Sequence, residues 1–365
     1  MVRVRDITNT LEQLAPLSLQ EKYDNAGLLV GDYLQPVTGV LLCLDVTEAV
    51  IQEAIELKYN LIIAHHPIIF NGLKRLTGQN EVQRCVTAAI KNDIALYAAH
   101  TNLDNVFEGV NGKIAAKLGL ENCRILAPMS DSLCKLVTYV PKLLVSKVRD
   151  ALFEAGAGTI GKYDSCSFTG EGIGSFRAGE GAQPFVGKSG QLHFEPEIRL
   201  ELVVPKVLVS GVVSALKQVH PYEEPAYDIL PISNKWEQVG AGVVGSLPAP
   251  VSTTEFLNHL KQVFQVPSLR HTAIVQAEVQ RIAVCGGSGS FLIPDALTAK
   301  ADVYITADIK YHEFMQAEGQ LVLVDAGHYE TEQYTKDLMY EIISKKFPTF
   351  AVRISNVSTN PILYL

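Results

Sequence analysis

Short, continuous apolar runs recur along this chain. Each ends in a polar or glycine-containing step, and a segment with helical spacing follows. "GVLLCLD" precedes "VTEAVIQEAIELK", "NLIIAHH" leads through a loop to "NEVQRCVTAAIKND", and "IALYAAHTNLDN" precedes "GVNGKIAAKLG". The grammar returns in "QRIAVCGGSGS", "ADVYITADI" and "QLVLVDAGH", each leading towards a helical pattern. Uninterrupted apolar strands alternating with helices predict a largely parallel sheet covered on both faces. In such sheets ligands bind beyond the carboxyl ends of the strands.

The middle of the chain reads differently. From about Leu126 to Lys235 the order is strand ("LCKLVTYVP"), helix ("KLLVSKVRDALFEAG"), strand ("KYDSCSFTGEG"), strand ("EIRLELVVP"), helix ("KVLVSGVVSALKQVH"), strand ("AYDILPI"). That order is βαββαβ, a complete ferredoxin-like unit. The Gly-rich stretch "GIGSFRAGEGAQPFVGKSGQ" between its central strands is expected to form a long hairpin or loop. The expected architecture is therefore α/β, with one discontinuous, mainly parallel domain over residues 1–125 and 237–365. A ferredoxin-like domain is inserted over 126–236.

Composition narrows the function classes. The 365 residues exceed what one core usually serves, and 47% hydrophobic with 19% charged residues describes an ordinary globular chain. A net charge of −8 argues against nucleic acid as the main partner. The six cysteines make no Cys-x-x-Cys pair, so neither a disulfide framework nor a thiolate zinc site is expected. The N-terminal "MVRVRDITNTLEQLAPL" lacks the apolar core of a signal peptide, and no apolar stretch reaches the ~18 residues of a membrane span. These features together predict a cytoplasmic protein with no membrane partner.

The chemistry collects at the strand exits. His65 and His66 end one strand, His100 and Asp104 follow another, and His328 and Glu332 follow a third, four residues apart on a helix expected to start near Gly327. Inside a regular strand His65 and His66 would point to opposite faces. At the exit, before Pro67 turns the chain, both can face one crevice. Two imidazoles sharing a crevice with carboxylates suit two divalent ions, one served by His65 and the other by His66. Asp104 and His328 each add a ligand, and Glu332 stands where it can bridge. Two dications ~3.5–4 Å apart repel by roughly 20 kcal/mol at an effective dielectric of about 20, so an anionic bridge is needed. Five protein ligands leave open positions, which is the mark of catalytic rather than structural sites. The charge left over favours a small anionic substrate such as a nucleotide.

Each residue also has a plain structural explanation. His328 and Glu332 suit a helix start, Asp104 suits a turn, and a histidine at a strand end is commonly hydrogen-bonded. What favours a metal centre is their combination at equivalent strand exits. His100, Asp308, Lys310 and His312 are candidates for substrate binding or proton transfer, with His100 alternatively orienting a ligand. Asp24 and Asn25 in "DNAG" either reach the site or make a turn. "CGGSGS" either offers N–H groups to a phosphate or turns tightly.

"YDNAGLLVGD", "IIAHHPIIF", "AAHTNLDN", "AVCGGSGS", "ADVYITADIKYHE" and "DAGHYETEQ" resemble, in order, the signature segments of the GTP cyclohydrolase I type 2 homologue family, also called NGG-interacting-factor-three-like. "KYDSCSFTGEGIGSF" and "HPYEEPAYDI" resemble the P-II/CutA-like insertion of its long form. The resemblance implies a dinuclear divalent-metal site with His65, His66, Asp104, His328 and Glu332 as ligands. It also implies a toroidal homohexamer with the sites facing an internal cavity. Histidine and carboxylate ligands accept Zn, Fe, Mn or Co alike. The expected function is a metal-dependent hydrolase acting on a nucleotide or phosphoester. The alternative is a non-enzymatic regulatory or scaffold protein whose insertion senses a ligand.

Overall fold

The apolar runs become strands that stay buried along their whole length. In the computed structural model, which describes residues 1–365, Val40–Cys43, Leu61–Ala64 and Ala95–Ala98 pair in parallel and in step, with Leu61 between Val40 and Ala95. Fully burying each Val, Leu or Ile is worth roughly 1.5–3 kcal/mol. Polar residues accordingly wait until the strands end, at His65 and His100. The edge strands of this sheet are Gly27–Val30, antiparallel, and Val352–Ile354, parallel. The helices packed on it start at capping residues. Thr47 Oγ1 accepts from the Val50 N–H at the start of Glu48–Leu57, and Asn80 Oδ1 from the Gln83 N–H at the start of Glu81–Lys91. Such caps contribute about 1 kcal/mol each.

A second sheet in the same unit has Glu278–Ser288, Val303–Ala307 and Val322–Asp325 as parallel neighbours. Trp236–Ser252 and the two-residue Arg270–His271 flank them antiparallel, and Glu121–Met129 lies at the edge beyond Trp236–Ser252. The single, largely parallel sheet expected for this domain is therefore corrected to two: His65 and His100 leave the first sheet, while His328 and Glu332 follow the second. Apolar runs report burial, and a strand buried in either of two sheets reads the same way. Glu121–Met129 escaped the pattern because four of its residues are exposed or half-buried ahead of its buried pair Ile125 and Leu126. The segment after Asp308 is a 3₁₀ turn, Glu313–Ala317, rather than a full helix.

The chain divides into two compact units, residues 1–127 with 238–365, and residues 128–237. The second has the strands Leu133–Pro141, Phe168–Arg177, Leu192–Pro205 and Tyr227–Pro231, with helices Val145–Glu154 and Val209–Val219. Its sheet is wholly antiparallel, with the first strand between the third and the fourth and the second strand outside the third. This is the ferredoxin-like arrangement, with a core that includes Leu136, Val140, Val148, Leu152, Leu200, Leu202, Val212 and Leu216. The second strand begins at Phe168, later than Lys162, and runs to Arg177, so the Gly-rich stretch forms a long antiparallel hairpin whose first part is strand and whose residues 178–191 make the connection. Glycine weakens a strand, but ten residue pairs with Leu192–Pro205 override that weakness. No helix in the chain is long and apolar enough to cross a membrane, and all six cysteines are unpaired.

Candidate metal centre

Sheet pairing continues for one or two residues past the strand ends and sets the histidines. The His65 N–H donates to the Cys43 carbonyl, that of His66 to the Leu44 carbonyl, and that of Ala99 to the Ala64 carbonyl. The next step breaks the strand alternation. The His65 and His66 rings lie 4.9 Å apart between centroids, inclined at 46°, instead of on opposite faces. His100 lies 5.3 Å from His65 and 5.4 Å from His66, edge-on to both. From the second sheet, Val322–Asp325 leads through Gly327 into the short helix His328–Glu332. That turn brings the His328 ring to 5.2 Å from His66.

Glu332 lies at the centre, 4% exposed. Its Oε1 faces His65 Nε2 at 3.7 Å. Its Oε2 lies 3.0 Å from both His66 Nε2 and His328 Nε2. Asp104 Oδ1 also lies 3.7 Å from His65 Nε2. The two carboxylate oxygens of Glu332 thus face two different sets of ligand atoms.

Each imidazole is held by its other nitrogen. His65 Nδ1–H donates to the Ala99 carbonyl at 2.8 Å, His66 Nδ1–H to Asp45 Oδ1 at 2.7 Å, His100 Nδ1–H to Asp24 Oδ1 at 2.7 Å, and His328 Nδ1–H to Asp308 Oδ2 at 2.6 Å. This arrangement turns every Nε2 lone pair inward, as metal-ligating histidines require. Asp45 is itself held by the Thr359 hydroxyl at 2.8 Å. Asp24 accepts from both the backbone N–H and the hydroxyl of Thr101.

Three observations test whether these residues fit a divalent ion. His65 Nε2 is buried with no hydrogen-bond partner, a costly state for a ring nitrogen unless something else occupies its lone pair. His66 Nε2 and His328 Nε2 stand 3.3 Å apart around one carboxylate oxygen. Separations of 3.0–3.7 Å are those of atoms each ~2.0–2.2 Å from a shared ion. Finally, Gly287, at φ +61°, leaves the space that Glu332 fills, since a Cβ there would fall 2.1 Å from Glu332 Oε1 and 3.2 Å from His328 Nε2. The donor set is imidazole and carboxylate, which suits borderline divalent metals. The residues fit.

Without an ion, protons take its place. Burial disfavours a charged His66, but the Asp45 hydrogen bond and the Glu332 carboxylate outweigh it and lift His66 to about 10. Burial likewise opposes His328, and Glu332 with Asp308 raises it to about 9. Burial pushes Asp104 up to about 7 against the pull of His65. Burial would also raise Glu332, yet the surrounding His65, His328 and His66 hold it well below the ordinary carboxylate range. Asp24 is lowered to about 2, where hydrogen bonds from His100 and Thr101 overcome its burial.

The structure brings His65, His66, His100, His328 and Glu332 together as groups able to hold a metal ion, with Asp104 beside them. Asp308 lies behind His328 as its hydrogen-bond acceptor. Lys310 and His312 lie exposed on the turn beyond it, outside these groups. "CGGSGS" makes room for Glu332, and the Gly287 N–H donates to Thr331 Oγ1. Sequence reasoning missed Asp45, although it too stands at a strand exit, in "LLCLD". Thr359 carries no local signal, because its partner lies 314 residues away.

A family model described as Duf34/NIF3 (NGG1p interacting factor 3) matches residues 2–361. A Halalkalibacterium halodurans protein named GTP cyclohydrolase 1 type 2 homolog is 40% identical over 98% of both chains. A Bacillus subtilis protein of the same name is 40% identical over 100% of this chain and 99% of its own. The crystal structure of a Bacillus cereus protein related to NIF3 superposes with a TM-score of 0.85 at 38% identity, covering 100% of this chain and 99% of the other. With a match that runs nearly end to end and a buried imidazole–carboxylate cluster, the chain belongs to the Duf34/NIF3 family.

Proposed function

We propose that this protein is a divalent-metal-dependent hydrolase that holds two ions and acts on a nucleotide or another phosphoester. The observation that carries the reading is Glu332, whose Oε1 faces His65, with Asp104 beyond it, while its Oε2 faces His66 and His328. In this reading His65 and Asp104 would hold one ion and His66 and His328 the other, with the Glu332 carboxylate available to both. The relatives' shared name, GTP cyclohydrolase 1 type 2 homolog, supports a nucleotide as substrate.

When bound, a pair of dications supplies Lewis acidity towards an anionic oxygen and acidifies water. The chain's own residues supply orientation and proton handling. Asp45 and Asp308 fix the tautomers of His66 and His328, so that Nε2 of each stays free to ligate. His100 is held the same way by Asp24 and lies close to both His65 and His66. That position suits a group that moves a proton to or from a substrate at the centre. A cytoplasmic location and a homohexamer are part of the same proposal. The exposed apolar residues Ile362, Leu363 and Leu365 at the C-terminus support association.

The test is a hydrolysis screen of nucleotides and phosphoesters with protein reconstituted separately with Zn, Fe, Mn and Co, run beside Glu332→Gln. Turnover that Glu332→Gln abolishes is the expected result. Full metal loading without turnover on any substrate would overturn the hydrolase reading and leave a metal-binding regulatory or scaffold protein.

A further inference from the structure

Two large aromatic rings stand exposed beside the histidine cluster. Tyr23 is 64% exposed and Phe70 45% exposed. Their ring centroids lie 6.2 Å apart, inclined at 41°. Phe70 is in turn 6.4 Å from His100, edge-on to it. His100 touches His65 and His66 (5.3 and 5.4 Å), so the rings form a continuous run from the surface to the centre. Singly scattered surface aromatics are ordinary, but adjacent ones leading to a site are not.

The loops that carry these rings are held in place. The Asn25 side chain donates to the Ile69 carbonyl at 2.6 Å, which ties the residue two after Tyr23 to the residue before Phe70. Asp24, next to Tyr23, has a buried side chain that grips His100 and Thr101. The Glu21 N–H donates to Thr101 Oγ1 and the Ala26 N–H to Gln20 Oε1. A fixed scaffold that nevertheless leaves two rings in water is the arrangement expected of a binding surface. The chemistry on offer is a pair of π faces, which stack on flat unsaturated rings.

We propose that Tyr23 and Phe70 form a stacking platform for a purine-sized heteroaromatic ring of the substrate, whose anionic end faces the imidazole cluster. The proposal rests on the hydrolase reading only in sending that anionic end to the metal centre. It assigns substrate selection to two residues that are not metal ligands.

The experiment measures binding of guanosine monophosphate and of ribose 5-phosphate to metal-reconstituted protein. It compares the unchanged chain with Tyr23→Phe, Tyr23→Leu, Phe70→Leu and the Tyr23→Ala/Phe70→Ala double variant. Metal content, thermal unfolding and molar mass by light scattering are recorded for each. The double variant should bind guanosine monophosphate at least about tenfold more weakly while holding its metal and its affinity for ribose 5-phosphate. The single leucine variants should lose part of that affinity and carry the test if the double variant does not fold. Tyr23→Phe, which keeps the ring, should retain it. Equal losses for both ligands, no loss for either, or a change confined to molar mass would overturn the platform and leave the hydrolase reading standing. Failure of the unchanged, metal-loaded protein to bind guanosine monophosphate more tightly than ribose 5-phosphate would overturn the platform, while the hydrolase reading stands or falls on the turnover screen.

Discussion

Among single residues, Glu332 supplies the central negative charge, between His65, His66 and His328. Glu332→Gln preserves size and removes the anion between two proposed dications. At least one ion should then bind more weakly by more than the 10–100-fold typical of changes behind a ligand. The metal-free chain should also lose stability, because Glu332 is the buried carboxylate with which the charged His66 and His328 pair. Metal titration and thermal unfolding without metal check both halves. Gly287→Ala should likewise cost metal and stability together, by displacing Glu332 rather than discharging it. Its φ of +61° disfavours any side chain, and a Cβ there collides with Glu332 Oε1. Protons give a third test. The raised His66 and His328 are both charged in the metal-free centre at neutral pH. Their contribution to metal-free stability is fully present below about 6.5 and is lost as pH rises through about 9 and about 10. Metal loading must expel those protons, so affinity should rise with pH up to that range, with roughly two protons released per chain by the histidines at pH 7 and about half of one more by Asp104. Calorimetry in buffers of different ionisation enthalpy reads that number, and metal binding without proton release would contradict the assigned protonation.

At the scale of elements, the strand exits were legible because physics forbids polar residues earlier. "LIIAHHP" reads as an apolar strand that ends at the histidines, with Pro67 turning the chain, and the strand ends at Ala64 with the two rings converging just beyond it. The i, i+4 spacing of His328 and Glu332 likewise identified a shared helix face. What the sequence hid was long-range pairing. Nothing local tells that Val303–Ala307 and Leu61–Ala64 belong to different sheets, or that Asp45 holds His66 and Thr359 holds Asp45. Asp308, a candidate for substrate binding or proton transfer, sits in the left-handed region, at φ +56°, and accepts from His328. Asp308→Asn tolerates that backbone and removes the charge. It should weaken the ion held by His328 by about 10–100-fold. Lys310→Ala, on the same turn but outside the cluster, should leave metal binding unchanged. Parallel metal titrations of the two variants separate a role in holding His328 from a general disturbance of the turn.

At the scale of the whole molecule, every residue of the candidate centre lies in the unit formed by residues 1–127 and 238–365. The strands that lead the chain out of that unit and back, Glu121–Met129 and Trp236–Ser252, are neighbours in its second sheet. Joining residues near 125 to residues near 237 through a short Gly/Ser linker should therefore give a folded, metal-binding protein. An insoluble or metal-free product would mean that the two units depend on each other to fold. The central claim, a pair of ions bridged by one carboxylate, is tested most directly by stoichiometry. The metal-free chain is titrated with a single divalent metal to saturation, and bound metal is counted per chain by elemental analysis. A plateau at two ions per chain is expected; a plateau at one, reached by fully reconstituted protein, would rule out the bridged pair.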